Sequence, residues 1–193
     1  MIDYETFIKH AEKVAKTAPE TRPVLKGVFH KEDGSAIVTD SHRLYVAKDV
    51  HSRGKDTVLS PEGNVIEGKY PDVTRIIPSD FRQTIEADVR ELSKAIDCIY
   101  SPAKLLDEKV IIKFEDSTIQ SHMPTYYKAK IQIPFRFEET VSFNAKYLLD
   151  ALKLFRAVGI EKAKIGFNGR MRPLAIENND NSLLAIILPV RTY

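Results

Sequence analysis

The sequence SFNAKYLLDALKLF, residues 142–155, contains a helix N-cap followed by regularly spaced apolar residues, a pattern that recurs along the chain. Its apolar side chains recur at the spacing of one helical face, which predicts an amphipathic helix over about residues 144–157. Asn144 is a favourable N-cap, and Gly159 follows the helix where left-handed backbone suits glycine. The side chains expected to be buried are Leu148, Leu149, Leu152 and Phe155.

The same succession of a helix followed by strands occurs twice more, closer to the N-terminus. A helix over about residues 87–100 is predicted by apolar periodicity, with Asp88 as its N-cap and Glu91 completing a capping box. A further helix is predicted over about residues 3–17, bounded by Pro19 and Pro23.

Runs of alternating or continuous apolar residues predict strands after each helix. After the first helix these are VLKGVFH (24–30), AIVTD (36–40) and HRLYVAK (42–48). After the second they are KVIIKFE (109–115) and STIQSHM (117–123), and after the third AKIGFN (163–168), RPLAIEN (172–178) and SLLAIILPV (182–190). Three helix-plus-strands units in one chain predict an α+β architecture in which sheets back onto helices.

Residues 51–69 form the least structured stretch, rich in Gly, Ser, Lys and Pro, with short apolar runs only at TVLS (57–60) and NVIEG (64–68). The composition of the whole chain is that of a globular protein, since 43% of its 193 residues are hydrophobic. The formal charge of +2 gives no global electrostatic case for nucleic-acid binding, so any DNA contact must come from local placement of cations.

Composition also predicts where the protein acts and what it does not bind. The single cysteine, Cys98, excludes an intrachain disulfide, and no segment approaches the roughly 20 apolar residues of a membrane span. The N-terminal stretch MIDYETFIKH lacks the apolar run of a signal peptide. We therefore expect a cytoplasmic protein without membrane association.

Catalysis is not expected from this sequence. Asp40, Ser41 and His42 have the residue types of a catalytic triad, but neighbours on a strand point to alternate faces and cannot form the required relay. The five histidines are dispersed without the paired spacing of a metal site. There is no phosphate-binding glycine loop, so we expect neither an enzyme nor a cofactor.

Three separated segments resemble the bacterial DNA polymerase III beta subunit, the DNA sliding clamp. The first is TRPVLKGV (21–28) with AIVTDSHRL (36–44) behind it, and the second is GKYPDVTRIIP (68–78). The third is SFNAKYLLDAL (142–152), followed by Arg172-Pro173-Leu174 and Leu188-Pro189-Val190-Arg191. All three occur in the family's order, so the resemblance extends over nearly the whole chain.

The resemblance implies a DNA-clamp fold of three half-domain units, whereas a clamp subunit has three domains of two halves each. The family's first domain and half of its middle domain have no counterpart here. The resemblance therefore implies a truncated middle-domain-like half unit plus linker at residues 1–69 and a complete C-terminal clamp domain at residues 70–193.

In this family, polymerases and other partners dock a short peptide, usually glutamine followed by leucine and phenylalanine, into a cleft between the middle and last domains. Three arginines beside apolar strand ends, Arg43, Arg75 and Arg191, are expected to lie at a hydrated rim. The resemblance implies a pocket lined by Leu25, Thr39, Ser41, His42, Arg43, Leu44, Pro71, Arg75, Ile76, Met171, Pro173, Ile187, Leu188, Pro189, Val190 and Arg191.

Clamp helices face the DNA channel, and their cations contact phosphates without reading sequence. Acidic residues are interspersed on each helix, so the same faces also fit ordinary solvated helices. The cations expected to face DNA are Lys9, Lys13 and Lys16 on the first helix, Arg90 and Lys94 on the second, and Lys146, Lys153 and Arg156 on the third.

The function expected from the resemblance is that of a clamp-like replication accessory protein. It would bind the clamp-binding peptides of DNA polymerase and related partners, and would encircle double-stranded DNA as a processivity factor if a ring forms. One and a half domains cannot reproduce the family's dimer, so a ring requires a homo-oligomer of this chain. The alternative is a decoy that keeps the pocket, forms no ring and competes for clamp-binding partners.

Overall fold

The computed structural model describes residues 2–106, 109–122 and 127–191. Its helices are α1 (Tyr4–Ala15), α2 (Val89–Ala103) and α3 (Ala145–Ala157). Its strands are β1 (Val28–His30), β2 (Ala36–Thr39), β3 (Arg43–Ala47), β4 (Thr57–Leu59), β5 (Gln83–Asp88), β6 (Ile111–Ser121), β7 (Lys130–Asn144), β8 (Lys162–Phe167), β9 (Leu174–Glu177) and β10 (Leu183–Ile187). The predicted α+β class is confirmed.

The chain divides into two compact units. Unit 1 comprises Met1–Ser79 and Glu177–Ile186, and unit 2 comprises Asp80–Ile176 and Ile187–Tyr193. The domains expected from the resemblance, 1–69 and 70–193, stay a prediction, and residues 192 and 193 lie outside the described part of the chain. No helix in that part has the length and apolar character needed to cross a membrane.

The three predicted helices are present, and their starts follow from side-chain capping. The carboxylate of Asp88 accepts a hydrogen bond from the backbone N–H of Glu91 at 2.8 Å, and the amide oxygen of Asn144 accepts one from Lys146 at 3.0 Å. Each cap satisfies a backbone donor that the first helical turn leaves unpaired. Gly159 follows α3 with a φ of 81°, as expected for a left-handed cap.

Unit 1 is a sheet of strand order β4-β1-β2-β3-β10 with α1 packed on β1, β2 and β3. Helix α1 buries Phe7, Ala11 and Val14 completely against these strands. The strand predicted at residues 24–30 is shorter than expected, because Pro23–Lys26 forms a single 3-10 turn before β1. Proline fixes φ and suits the first position of such a turn.

The stretch 51–69 supplies one short strand and one bridge. Strand β4 pairs antiparallel with β1, and Val65 forms an isolated bridge back to Leu59. The run NVIEG therefore does not form a strand of its own. With β4 at the end of the strand order within unit 1, this stretch covers the outer edge of that sheet.

Unit 2 contains α2 and α3 packed against each other, the strands β9, β8 and β5 side by side, and the long hairpin of β6 and β7. The two strands expected at 109–115 and 117–123 are one strand, β6, with register shifts around Asp116, whose φ is 50°. That irregularity interrupts the sequence pattern without ending the strand. Residue 123 lies outside the described residues.

Strand β7 was not predicted, although it supplies much of the core of unit 2. Phe137 of β7 packs on Phe114 of β6 with ring centroids 4.8 Å apart, and on Phe167 of β8 at 5.7 Å. Its alternating residues Ile131, Ile133, Phe135 and Phe137 carry the period of a half-buried strand. These aromatic contacts join the β6–β7 hairpin to the strands that follow α3.

A buried ion pair closes the turn between β2 and β3 in unit 1. The Nε of Arg43 donates to Oδ2 of Asp40 at 3.0 Å, and the two side chains are 0% and 1% exposed. Oδ1 of Asp40 accepts from the backbone N–H groups of His42 and Arg43, and Oδ2 accepts from the hydroxyl of Thr17. The expectation that Arg43 lies at a hydrated rim is therefore wrong, because Asp40 neutralises its charge inside the unit.

We expect Arg43→Ala to lower the free energy of unfolding by about 3–5 kcal/mol, because Asp40 would keep a buried and unpaired charge. Arg75→Ala is the matched control: Arg75 also pairs with an aspartate three residues earlier, Asp72, but with side chains 88% and 57% exposed. Its loss is expected to leave the free energy of unfolding nearly unchanged, because water screens an exposed ion pair. Urea unfolding of both variants tests this, and equal losses would contradict it.

His30 is a second buried polar group in unit 1, and it is held neutral. Its Nδ1–H donates to the carbonyl of Val28 at 3.1 Å, and its Nε2 accepts from the hydroxyl of Tyr4 at 2.8 Å. Burial, followed by the nearby charges of His51 and Arg53, lowers the pKa of His30 to about 4. The unfolded chain, with a histidine pKa near 6.5, therefore binds the proton more readily than the folded chain.

This difference predicts that stability falls as pH falls. The contribution of neutral His30 is complete above pH ~6.5 and decreases toward the folded pKa, so about 2 kcal/mol should be lost between pH 7.5 and pH 5. His30→Gln should remove that part of the pH dependence. Urea unfolding at the two pH values measures it, and an identical pH slope in the variant would refute the assignment to His30.

Candidate peptide groove and cationic helix surfaces

A groove of about 450 Å³ opens on the surface of unit 2. It is formed where the end of β7, the loop between β8 and β9 and the C-terminal segment meet. We call it the C-terminal groove; it is lined by Thr140, Val141, Ser142, Arg170, Met171, Val190 and Arg191.

Hydrogen bonds fix the walls of the C-terminal groove. The backbone N–H of Val190 donates to the carbonyl of Ser142 at 2.8 Å, which holds the C-terminal segment along β7. On the opposite wall, Glu139 accepts from the N–H of Arg170 at 3.2 Å and from Nη1 of Arg82 at 2.9 Å. Gly169 precedes Arg170 with a φ of 108°, a conformation that favours glycine.

The lining combines apolar surface with cations. Met171 is 55% exposed, an unusual degree for a large apolar side chain, and Val190 is half-buried beside it in the groove lining. Arg170 and Arg191 are exposed and supply guanidinium donors. Such a groove can take an apolar side chain on its floor and donate hydrogen bonds to a carbonyl or carboxylate at its rim.

Several of the predicted pocket residues in unit 1 are buried and maintain the fold. Leu25 and Leu44 are 1% exposed. The hydroxyl of Thr39 donates to the carbonyl of Arg43 and accepts from the N–H of Ser41, so it closes the β2–β3 turn. The predicted residues that stay exposed in unit 1 are Ser41, His42, Pro71, Arg75 and Ile76.

Unit 2 brings together three of its predicted pocket residues, Met171, Val190 and Arg191, in the C-terminal groove. Ile187 is fully buried in β10, whereas Leu188 is 37% exposed and Pro173 and Pro189 are half-buried. The groove residues that the sequence interpretation missed are Thr140, Val141, Ser142 and Arg170. The alternation along β7 was the signal that could have placed the first three.

The cations expected to face DNA are all exposed, on all three helices. Two of them have acidic partners: Lys16 lies 3.8 Å from Glu12, and Lys146 lies 2.6 Å from Asp150. Arg90 of α2 and Arg156 of α3 line one cavity of about 600 Å³ in unit 2. Asp88 and Glu161 line the same cavity.

Asp40, Ser41 and His42, which have the residue types of a catalytic triad, form the turn between β2 and β3. Asp40 is bound by backbone amides and by Arg43, and the side chain of His42 is exposed. Within residues 2–106, 109–122 and 127–191, no group of three or more His, Cys, Asp or Glu side chains is placed to hold a metal ion.

Solved structures with the same arrangement of helices and sheets are DNA sliding clamps. The DNA polymerase sliding clamp of Bacillus subtilis matches with a TM-score of 0.77 at 26% identity, covering 100% of this chain and 64% of that one. The beta subunit from the DNA polymerase of Streptococcus pyogenes matches in fold with a TM-score of 0.81 at 22% identity, covering 99% and 65%. The predicted clamp fold is confirmed.

Sequence comparison gives the same class of protein, the DNA sliding clamps. The family model of the DNA polymerase III beta subunit, C-terminal domain, matches residues 74–191. The beta sliding clamp of Bacillus subtilis (strain 168) is 30% identical over 230 residues, and that of Staphylococcus aureus (strain Mu50) is 30% identical over 228, each covering 93% of this chain. This chain belongs to the DNA polymerase III beta subunit family.

The chain spans about 60% of the length of these curated relatives. The expected resemblance to a shortened DNA sliding clamp is therefore confirmed. Family membership also agrees with the expectation that the chain is not an enzyme.

Proposed function

We propose that this chain is a clamp-type DNA replication accessory protein whose C-terminal groove docks short peptides of DNA polymerases and related partners. The observation that carries the proposal is the exposed Met171 beside half-buried Val190, flanked by Arg170 and Arg191. Apolar floors with a few polar donors at the rim are typical of peptide-binding sites. In this proposal the protein acts in the cytoplasm, on polymerase and double-stranded DNA.

The family resemblance also implies a peptide-binding role for exposed residues of unit 1. Ile76 is 46% exposed and Arg75 is nearly free of contact with the core, so both are available to a ligand. The buried side chains among the predicted pocket residues of unit 1 maintain the fold that carries these exposed residues. They are those of Leu25, Thr39, Arg43 and Leu44. Their substitution would act on stability before it acted on binding.

We expect a labelled glutamine-leucine-phenylalanine type peptide to bind, and Met171→Asp to weaken its affinity by at least about tenfold, because the charge would face an apolar side chain of the peptide. Leu105→Asp is the matched control, since Leu105 is also an exposed apolar residue of unit 2, 81% exposed, and does not line the groove. Fluorescence anisotropy measures both. No binding by the unsubstituted chain, or equal losses in the two variants, would defeat the proposal.

Primer extension separates a processivity factor from a decoy. With a polymerase that carries the peptide, a processivity factor lengthens the products, whereas a decoy shortens them. If the protein holds DNA, Arg90→Ala combined with Arg156→Ala should abolish the lengthening of the products, because these cations would contact phosphates. The affinity for the peptide should stay unchanged, because both residues lie outside the C-terminal groove. Shorter products with the unsubstituted chain would favour the decoy.

A further inference from the structure

A cavity of about 420 Å³ opens in unit 1 beside α1, and we call it the α1 cavity. Tyr4, Ile8 and Glu12, spaced four residues apart on α1, line one side of it, and residues of β1 and of the segment 53–65 line the rest. None of the described cations that are expected to face DNA is part of its lining. The α1 cavity also shares no residue with the C-terminal groove, which lies in unit 2.

Aliphatic side chains from three parts of the chain meet in the α1 cavity. Ile8 of α1 and Leu59 of β4 are half-buried there, and Val28 of β1 is buried. Val65 lines the same cavity and is 67% exposed, a high value for a branched apolar side chain. Apolar surface that converges on one hollow and still meets water is stabilised when an apolar ligand covers it.

The charged side chains of the α1 cavity favour an anion. Arg53 and Lys55 line it and are both exposed, and neither forms an ion pair within the part of the chain that the structure describes. The acid of the lining, Glu12, already has a cation beside it, because the Nζ of Lys16 lies 3.8 Å from its carboxylate. A guanidinium can bind a carboxylate through two parallel hydrogen bonds, and a nearby ammonium adds a further donor.

His30 is a neutral polar group of the α1 cavity that responds to the charge of Arg53. Its Nε2 accepts from the hydroxyl of Tyr4 at 2.8 Å, and both residues line the cavity. Burial first, and then the charges of His51 and Arg53, lower the pKa of His30 to about 4. An anion paired with Arg53 would offset the charge of Arg53 and so raise that pKa. The imidazole of His30 therefore reports on the occupancy of the cavity.

We propose that the α1 cavity binds a free, ionised carboxylic acid that carries an aliphatic chain. Arg53 and Lys55 hold the carboxylate, and the chain packs on Ile8, Leu59 and Val65. The volume of the cavity lies within the range of small-molecule sites, about 300–1,000 Å³. An aliphatic chain brings no amide groups that would need hydrogen-bond partners among these side chains, whereas a peptide does.

Octanoate is the probe that tests the proposal on the full chain. Isothermal titration calorimetry at neutral pH should show that octanoate binds at least about tenfold more tightly than octylammonium, which has the same chain and the opposite charge. Acetate, which has the charge without the chain, should bind more weakly by a similar factor. In parallel, NMR titration of the imidazole should show that octanoate raises the pKa of His30.

Substitutions locate the site. Arg53→Ala combined with Lys55→Ala should weaken octanoate binding at least about tenfold, because the carboxylate loses both cations. Arg22→Ala combined with Lys48→Ala is the matched control, since these are also an exposed arginine and an exposed lysine of unit 1, and neither lines the cavity. Val65→Asp should weaken binding as well, because it places a like charge beside the ligand. Circular dichroism establishes that each variant is folded.

Four results would each overturn the proposal: no binding of octanoate up to about 10 mM, equal affinities for octanoate and octylammonium, equal losses in the double variant and its control, or an unchanged pKa of His30 in saturating octanoate. A short peptide with one aspartate and two leucines supplies the same chemistry from a protein. Displacement of octanoate by that peptide at a lower concentration than octanoate itself requires would assign the cavity to a protein partner, and would also overturn the proposal.

Discussion

Each helix of this protein must bury one apolar face on a sheet, and the remaining structure depends on that constraint. Helix α3 buries Leu148, Leu149, Leu152 and Phe155, and α2 packs both on strands and on α3. The two helices of unit 2 thus cover each other's flanks. Unit 1 satisfies the same constraint with α1 alone, which leaves the cavity beside Ile8 and Val65 open.

The residues that hold the fold of unit 1 differ from the residues that we propose to bind peptide. The segment at positions 39–43 is held by a buried ion pair, backbone hydrogen bonds to Asp40 and the hydroxyl of Thr39. The C-terminal groove uses exposed side chains on segments that are themselves anchored, by Glu139 on one wall and by the carbonyl of Ser142 on the other. Fixed backbone with exposed side chains is the arrangement that lets a groove bind without reorganising first.

The helix surfaces show how one pattern of charge can be read in two ways. On α1, cations alternate with acids along the helix, and Lys16 lies 3.8 Å from Glu12. On α2 and α3, Arg90 and Arg156 line one cavity together with Asp88 and Glu161, so acidic side chains also accompany the cations there. The same cations therefore fit either contact with phosphates or an ordinary solvated helix surface.

The sequence by itself determined the three helices, their caps at Asp88 and Asn144, the α+β class and membership of the clamp family. These features rest on local periodicity, short-range hydrogen bonds and ordered motifs, all of which are written along the chain. Only the tertiary structure decided that Arg43 is buried with Asp40, that β6 continues through Asp116, and that β7 contributes Thr140, Val141 and Ser142 to a groove with Met171 and Val190. These outcomes depend on contacts between residues far apart in sequence, and on which partner neutralises a charge, and a linear pattern records neither.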